Sequence, residues 1–180
     1  MKDVFEVRLS RLFCIALILI GALFVLAGID VGFTNIIFDS VLEAGSEGLK
    51  FLFVTFTFII GSIIILSQLY FLIVPPLMMR VTPEFISFGT GFLYQQQNFP
   101  ANMLLSADLL IEDSAVEVLG KRKKTLQGVE LRFERDESIP SSMITSAGIT
   151  YSDWTLRLHK PYINRSPSRI LSAIREIIGR

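Results

Sequence analysis

The densest charge in the chain is a run of four basic residues in its second half: Lys121, Arg122, Lys123 and Lys124. The run follows Gly120 and lies between two strand-like segments, so we expect it at the tip of a β-hairpin. A basic tip can stay solvated, bind the phosphate of a ligand, or contact anionic lipid, where each basic residue contributes about 1 kcal/mol. The sequence leaves these three roles open.

Aromatic residues occur beside hydrogen-bonding side chains at two places. Tyr94 precedes three glutamines, and Trp154 and Arg157 follow Tyr151. Aromatic faces stack on bases, and guanidinium groups grip phosphate. Tyr94, Trp154, Arg157 and the basic run are therefore the candidate ligand-binding residues. The alternative is that Trp154 belongs to a core and Arg157 to a surface, on alternate faces of one strand.

Residue types and spacings that support catalysis or metal binding are missing from the sequence. His159 is the one histidine, Cys14 the one cysteine, and neither has a partner at ligand spacing. The acidic residues Glu134, Asp136 and Glu137 follow a strand and are expected in a solvated loop. No nucleotide-binding glycine motif, nucleophile elbow or zinc-protease motif occurs. We therefore predict a protein that is not an enzyme and needs no cofactor or metal.

Two long apolar segments account for the unusual composition. The chain has 180 residues, of which 51% are hydrophobic and 19% charged, whereas soluble domains have about 25% charged residues. The segments are 12–29 and 49–74; a bilayer core needs about 20 apolar helical residues. We predict two transmembrane helices. The alternatives are buried core helices and a signal peptide cleaved after Ala27, which Asp3 and Glu6 oppose.

The distribution of basic residues predicts the orientation. Lys2, Arg8 and Arg11 precede the first segment, and Arg80 and the basic run follow the second. The connection 30–48 carries acidic residues and no Lys or Arg. Since Lys and Arg mark the cytoplasmic side, both termini are expected in the cytoplasm and the acidic loop outside an inner membrane. Residues 1–74 would form the anchor and residues 75–180 a cytoplasmic domain.

Small and polar residues within the spans indicate close helix packing. They are Gly21, Gly28, Gly61, Ser62 and Gln68. Small residues let membrane helices approach closely, and polar side chains hydrogen-bond across them. Pairing of the two spans within one chain and pairing between copies, in a homo-oligomer, both remain open.

The second half of the chain has the pattern of a small antiparallel barrel or sandwich closed by a helix. Pro75 and Pro76 end the second span, and short segments, several with period-two alternation, are punctuated by Gly, Asn and Pro. Ser166 and Pro167 predict a helix start. Apolar residues then recur at helical spacing up to Ile178, and Gly179 predicts the end. Nearly balanced charge argues against a binder of DNA or RNA polymers.

The layout resembles two groups of bacterial membrane proteins. The first is the pleckstrin-homology-like group, to which the opening strand Val81–Ile86 and the helix from Ser166 are similar. The second is the two-transmembrane β-barrel effectors of anti-phage signalling. That resemblance implies a barrel that binds a cyclic oligonucleotide and spans whose assembly damages the inner membrane. The first implies a scaffold or accessory subunit that binds lipid headgroups or a protein partner.

A sensor-effector is the function that we expect from the sequence. The chain offers a binding module and two spans, so binding can act only by shifting how the spans assemble, through differential affinity for two states. The scaffold remains the alternative.

Overall fold

The computed structural model describes residues 4–34, 47–91, 93–118, 121–137 and 139–179, and leaves out the side chains at 34, 47, 112–118 and 121–125. The chain divides into two compact units, residues 11–75 and residues 1–10 together with 76–180. The sequence-based boundary assigned residues 1–10 to the membrane anchor. The difference arises because the first strand pairs with the strand that follows the second helix.

The smaller unit is a pair of apolar helices, α1 (Arg11–Ile29) and α2 (Glu47–Ile73). A short π-helical segment, Asp30–Thr34, continues α1. Both helices are long and apolar enough to cross a membrane, which confirms two candidate spans. Residues 35–46 of the predicted acidic loop lie outside the described residues.

The helices of this pair run antiparallel with their glycines at the contact. Gly21 of α1 lies against Gly61 of α2, and Gly28 lies against Thr57. A Cβ built on Gly61 would come within 2.8 Å of the Gly21 carbonyl oxygen. Glycine at these positions is what permits the backbones to approach so closely.

The larger unit contains two four-stranded antiparallel sheets. The first sheet has the order β1 (Phe5–Arg8), β2 (Leu77–Val81), β3 (Phe85–Thr90) and β4 (Gln95–Pro100). The second has the order β5 (Leu104–Val118), β6 (Lys121–Phe133), β8 (Thr155–His159) and β7 (Ile149–Ser152). The described strands therefore confirm a mainly antiparallel β unit.

The prediction of a closed barrel is wrong for the described residues. Isolated bridges occur outside the named strands, for example between Leu9 and Ile163 and between Thr90 and Thr145. The outer edge of β1 illustrates why the sheets stay separate. The Asn164 N–H donates to the Arg8 carbonyl, and the Asn164 side chain accepts from the Arg8 N–H. An irregular segment thus takes the edge hydrogen bonds that a closing strand would need.

Aromatic rings from both sheets form the core between them. Phe88 of β3 stacks on Phe99 of β4 and on Tyr151 of β7, with centroid distances of 5.1 and 5.6 Å. Phe133 of β6 lies 5.0 Å from Phe99. Such ring pairs contribute about 0.5–1.5 kcal/mol each beyond their burial, so the two sheets pack as layers.

The closing helix α3 (Pro167–Ile178) has the bounds that the sequence predicts. Ile170 and Ile174 are fully buried, and α3 packs against β5 and β6. Gly179 adopts the left-handed conformation and donates to the Arg175 carbonyl, as glycine does after helices.

Candidate functional site

An open groove of about 590 Å³ lies between β1 and α3. Ligand sites measure about 300–1,000 Å³, so its size suits a small molecule. Its walls come from the start of the first sheet and from the helix: Val4, Phe5, Glu6, Arg165, Arg169, Ser172, Ala173, Glu176 and Ile177.

Helical periodicity brings the polar residues of α3 to this groove. Arg169, Ser172 and Glu176 recur at spacings of three and four residues, which places them on one face of the helix. The opposite face carries Ile170 and Ile174 into the core. The amphipathic pattern that fixes the helix on the sheets therefore also presents this polar face to β1.

The groove is lined by two carboxylates and two guanidinium groups, and one of the carboxylates, Glu6, is paired with further arginines. Glu6 accepts hydrogen bonds from Arg8 at 2.9 Å and from Arg80 at 2.7 Å. The Arg8 hydrogen bond, followed by that of Arg80, lowers the pKa of Glu6 below its ordinary value. Glu6 is thus an ionised carboxylate with its charge already offset. Arg165, Arg169 and Glu176 are the other charged residues that line the groove.

A second cluster of charges lies on the outer face of the second sheet. Glu130 accepts hydrogen bonds from Arg157 at 2.7 Å and from Arg132 at 2.8 Å. Burial opposes its ionisation, but the hydrogen bonds from Arg157 and then Arg132 outweigh burial, so the pKa of Glu130 is lowered. Arg157, a predicted ligand residue, is therefore held in a cross-strand ion pair.

Trp154 is not on a strand, where the alternation predicted it. Asp153 and Trp154 have φ values of 50° and 56° and connect Ser152 with Thr155, which pair across β7 and β8. Two central residues with positive φ define the tight hairpin turn that matches strand twist. Trp154 is half-buried there, with the Arg135 guanidinium 5.5 Å from its ring centroid.

Tyr94 occupies another turn, at the start of β4. It has a φ of 53° and is 9% exposed, and its ring lies against Gly89. Gly89 and Thr90 end β3, and Gly91, Leu93 and Tyr94 lie in the turn that follows.

The structure does not gather the predicted aromatic residues into one site. Tyr94 lies at the Thr90 end of the β3–β4 hairpin. The Trp154 carbonyl accepts from Phe133, which pairs with Leu104 just beyond the Pro100 end of that hairpin. Tyr151 is in the core, its pKa raised by burial.

The basic run lies on a strand. Lys121–Lys124 open β6, while residues 119–120 of the predicted hairpin tip lie outside the described residues. The register places Glu117 opposite Arg122 and Asp113 opposite Lys124. Acidic positions therefore accompany basic ones along this ladder, and phosphate binding by the run stays a prediction.

The predicted assembly residues differ in burial: the glycines are packed and Ser62 is not. Gly21, Gly28 and Gly61 pack within the helix pair, whereas Ser62 is exposed. The Gln68 Oε1 atom is buried without a hydrogen-bond partner among the described atoms. In the part of the chain that the structure describes, no group of three His, Cys, Asp or Glu side chains could hold a metal ion.

The groove residues were missed because the segment before α1 was interpreted as a charged flank. Its alternation contained a strand signal, since Val7 and Leu9 are buried while Glu6 and Arg8 face outward.

No protein-family model matches the chain, and neither a curated protein nor a solved structure matches it.

Proposed function

We propose that this protein is a non-enzymatic bacterial inner-membrane sensor-effector. Its strand-rich unit binds a small anionic ligand, and binding changes how α1 and α2 assemble with other copies in the membrane. The resemblance to anti-phage effectors makes a cyclic oligonucleotide the first ligand to test and membrane disruption the first output.

The observation that carries the proposal is the position of the groove on β1. β1 ends at Arg8, and α1 begins at Arg11. A ligand against Phe5 and Glu6 therefore contacts the strand that leads directly into the first span. Any shift of β1 that accompanies binding is passed along the chain to α1. Ligand binding and the state of the first span are then linked by a coupling free energy, which is what a sensor needs.

The pairing of β1 with β2 extends the coupling to the second span. The Leu9 N–H donates to the Pro76 carbonyl at 3.1 Å, and Pro76 follows α2 by three positions. The chain thus enters α1 and leaves α2 at adjacent, hydrogen-bonded positions. This supports a hairpin of two spans with the whole strand-rich unit on one side of the membrane. The basic residues flanking the spans favour the cytoplasmic side.

The ligand class follows from the charges at the groove. Arg165 and Arg169 supply guanidinium groups, which bind phosphate bidentately, and Ser172 adds a hydroxyl group. Glu6 is neutralised by Arg8 and Arg80, so its charge does not repel an anion strongly. Phe5 and Ile177 offer apolar contact for the remainder of a ligand.

Binding of a panel of cyclic oligonucleotides to the full-length protein in lipid nanodiscs tests the proposal. We expect Arg169→Gln to weaken binding about tenfold or more, because a hydrogen bond to a charged group contributes about 1.5–3 kcal/mol. Arg175→Gln is the matched control, since Arg175 is exposed on the same helix and does not line the groove.

Co-expression with the enzyme that makes the bound ligand tests the output. We expect depolarisation of the inner membrane with the wild-type protein and not with Arg169→Gln. If no member of the panel binds and no synthase makes the protein toxic, the scaffold interpretation replaces the sensor-effector.

A further inference from the structure

Two apolar loop tips lie at one end of the larger unit and are exposed. Leu93, in the turn between β3 and β4, is 75% exposed, and Ile144, in the connection before β7, is 86% exposed. Single exposed apolar side chains are common on soluble surfaces, so exposure alone does not indicate a function. The position of these two tips within the larger unit is the informative observation.

Hydrogen bonds hold the two tips together. The Gly91 N–H donates to the Ile144 carbonyl at 3.2 Å, and the Ser146 hydroxyl donates to the Gly91 carbonyl at 2.6 Å. Ser146 is 3% exposed, and its N–H donates to the Gly89 carbonyl. Leu93 and Ile144 therefore belong to neighbouring loops that are fixed to the end of β3.

The strand register places this end of the sheet next to the start of β2. Met79 pairs with Phe88 in the antiparallel β2–β3 ladder, so the Thr90 end of β3 lies beside Leu77. The Gln96 side chain confirms this, because its Nε2 donates to the Leu77 carbonyl at 2.8 Å. Leu77 is the first residue of β2 after α2.

The same end also contains the place where the chain enters α1. The Leu9 N–H reaches the Pro76 carbonyl, and the Ser10 N–H donates to the Tyr162 carbonyl at 2.7 Å. Lys160, an exposed basic residue, precedes Tyr162 by two positions. One end of the larger unit thus carries both connections to the apolar helices, the two apolar tips and a basic side chain.

We infer that Leu93 and Ile144 insert into the lipid interface of the membrane that α1 and α2 span. A surface with apolar side chains and a flanking basic residue is suited to the headgroup region, where apolar groups are buried about 5–10 Å deep. The occupant is lipid, because chain connectivity brings this end of the unit to the bilayer surface. The inference rests on the proposal that α1 and α2 are transmembrane.

Cysteine labelling of the full chain in nanodiscs of phosphatidylcholine and phosphatidylglycerol tests the inference. The background variant is Cys14→Ala, which removes the one native thiol. Leu93→Cys and Ile144→Cys each receive an environment-sensitive fluorophore, and quenching by lipid-borne spin labels is compared with quenching by aqueous iodide. We expect several-fold stronger quenching by lipid than at Glu84→Cys, because Glu84 is exposed in the turn at the opposite end of β2 and β3.

A label at Leu23→Cys separates failure of the inference from failure of the spans. Leu23 is exposed in the middle of α1 and should be quenched strongly by lipid if α1 spans the bilayer. Quenching at Leu23 with water-like behaviour at Leu93 and Ile144 overturns the insertion alone. Protection of the tips from both quenchers also overturns it, since it indicates a protein partner. Absence of lipid quenching at Leu23 overturns the transmembrane proposal.

Discussion

On the second sheet, contacts with neighbouring backbone atoms limit which residue type a position can hold, as side-chain chemistry also does. Gly128 of β6 pairs with His159 of β8, and a Cβ built on Gly128 would collide with the Leu158 carbonyl. Backbone atoms in a sheet cannot move aside as a flexible side chain can. The close approach of these two strands therefore requires glycine.

We expect Gly128→Ala to destabilise the larger unit severely, by several kcal/mol, since it forces the β6–β8 pair apart. Thermal unfolding followed by the near-ultraviolet signal of Trp154 measures the loss. Gly91→Ala is the control, because its φ is +64° and nothing lies within 4 Å of the added methyl group. That variant has only backbone strain, of order 1 kcal/mol. Equal losses for the two variants would contradict the steric argument.

Glu130 is one of the residues whose ionisation links the stability of the fold to pH. Hydrogen bonds from Arg157 and Arg132 overcome burial and lower its pKa. A carboxyl group whose pKa is lower in the folded state stabilises the fold when ionised. That contribution is complete above the unfolded pKa, about 4.5, and is lost as the pH falls through the folded value.

We therefore expect wild-type stability to fall below about pH 4.5 and Glu130→Gln to fall less steeply there. At pH 7 the variant should lose about 1 kcal/mol, because the side chains of Arg157 and Arg132 are 48% and 62% exposed and stay solvated. Chemical unfolding at a series of pH values measures both effects. Parallel pH profiles of wild type and variant would show that another carboxyl group dominates.

The helix pair uses the span glycines within one chain, which is one of the two kinds of pairing that the sequence left open. Gly21 and Gly61 lie at the contact of α1 with α2, and each would meet the carbonyl oxygen of the other if it carried a Cβ. Substituting these glycines would therefore disrupt the helix pair itself. Ser62 is exposed on α2 and is the position that reports on contacts between copies.

We expect Gly61→Leu to lower the thermal stability of the detergent-solubilised protein strongly and Ser62→Leu to leave it unchanged. The reason is that Leu at position 61 meets the Gly21 backbone and the Val25 side chain, whereas position 62 faces outward. Size-exclusion chromatography after heating measures the folded fraction. If Ser62→Leu abolishes oligomer formation while the helix pair stays intact, the assembly surface includes Ser62; equal thermal loss in both variants would argue against the packing described.

At the scale of the whole molecule, the segment before α1 is folded into the larger unit, and this bears on whether the first span is cleaved as a signal peptide. Val7 and Leu9 are 0% and 2% exposed, and β1 forms part of the first sheet. Cleavage after Ala27 would remove β1 and one wall of the groove. Burial of each such side chain contributes about 1.5–3 kcal/mol.

We predict that the N-terminal segment is retained in the membrane-extracted protein. When these 180 residues are expressed, intact mass spectrometry should show that no mass corresponding to residues 1–27 has been lost from the 20.2 kDa chain. Ala27→Leu, which abolishes the small-residue cleavage site, should give the same N-terminus. A product shortened by the first 27 residues in wild type, but not in this variant, would contradict the prediction.

The sequence by itself determined the features that depend on local pattern. Apolar length predicted both candidate spans, helical spacing and Gly179 predicted α3, and period-two alternation predicted short strands in the second half, of which β8 is one. These features follow from the periodicity of one segment and need no knowledge of its neighbours.

Only the tertiary structure decided which segments are partners. It paired β1 with β2 across the two helices, placed Trp154 in a turn rather than on the core face, and used the span glycines within one chain. Each outcome depends on contacts between residues far apart in sequence, which local periodicity does not contain. The groove beside β1 and the grouping of Leu93 with Ile144 arise from the same long-range contacts, so they could be found only once the sheets had been assembled.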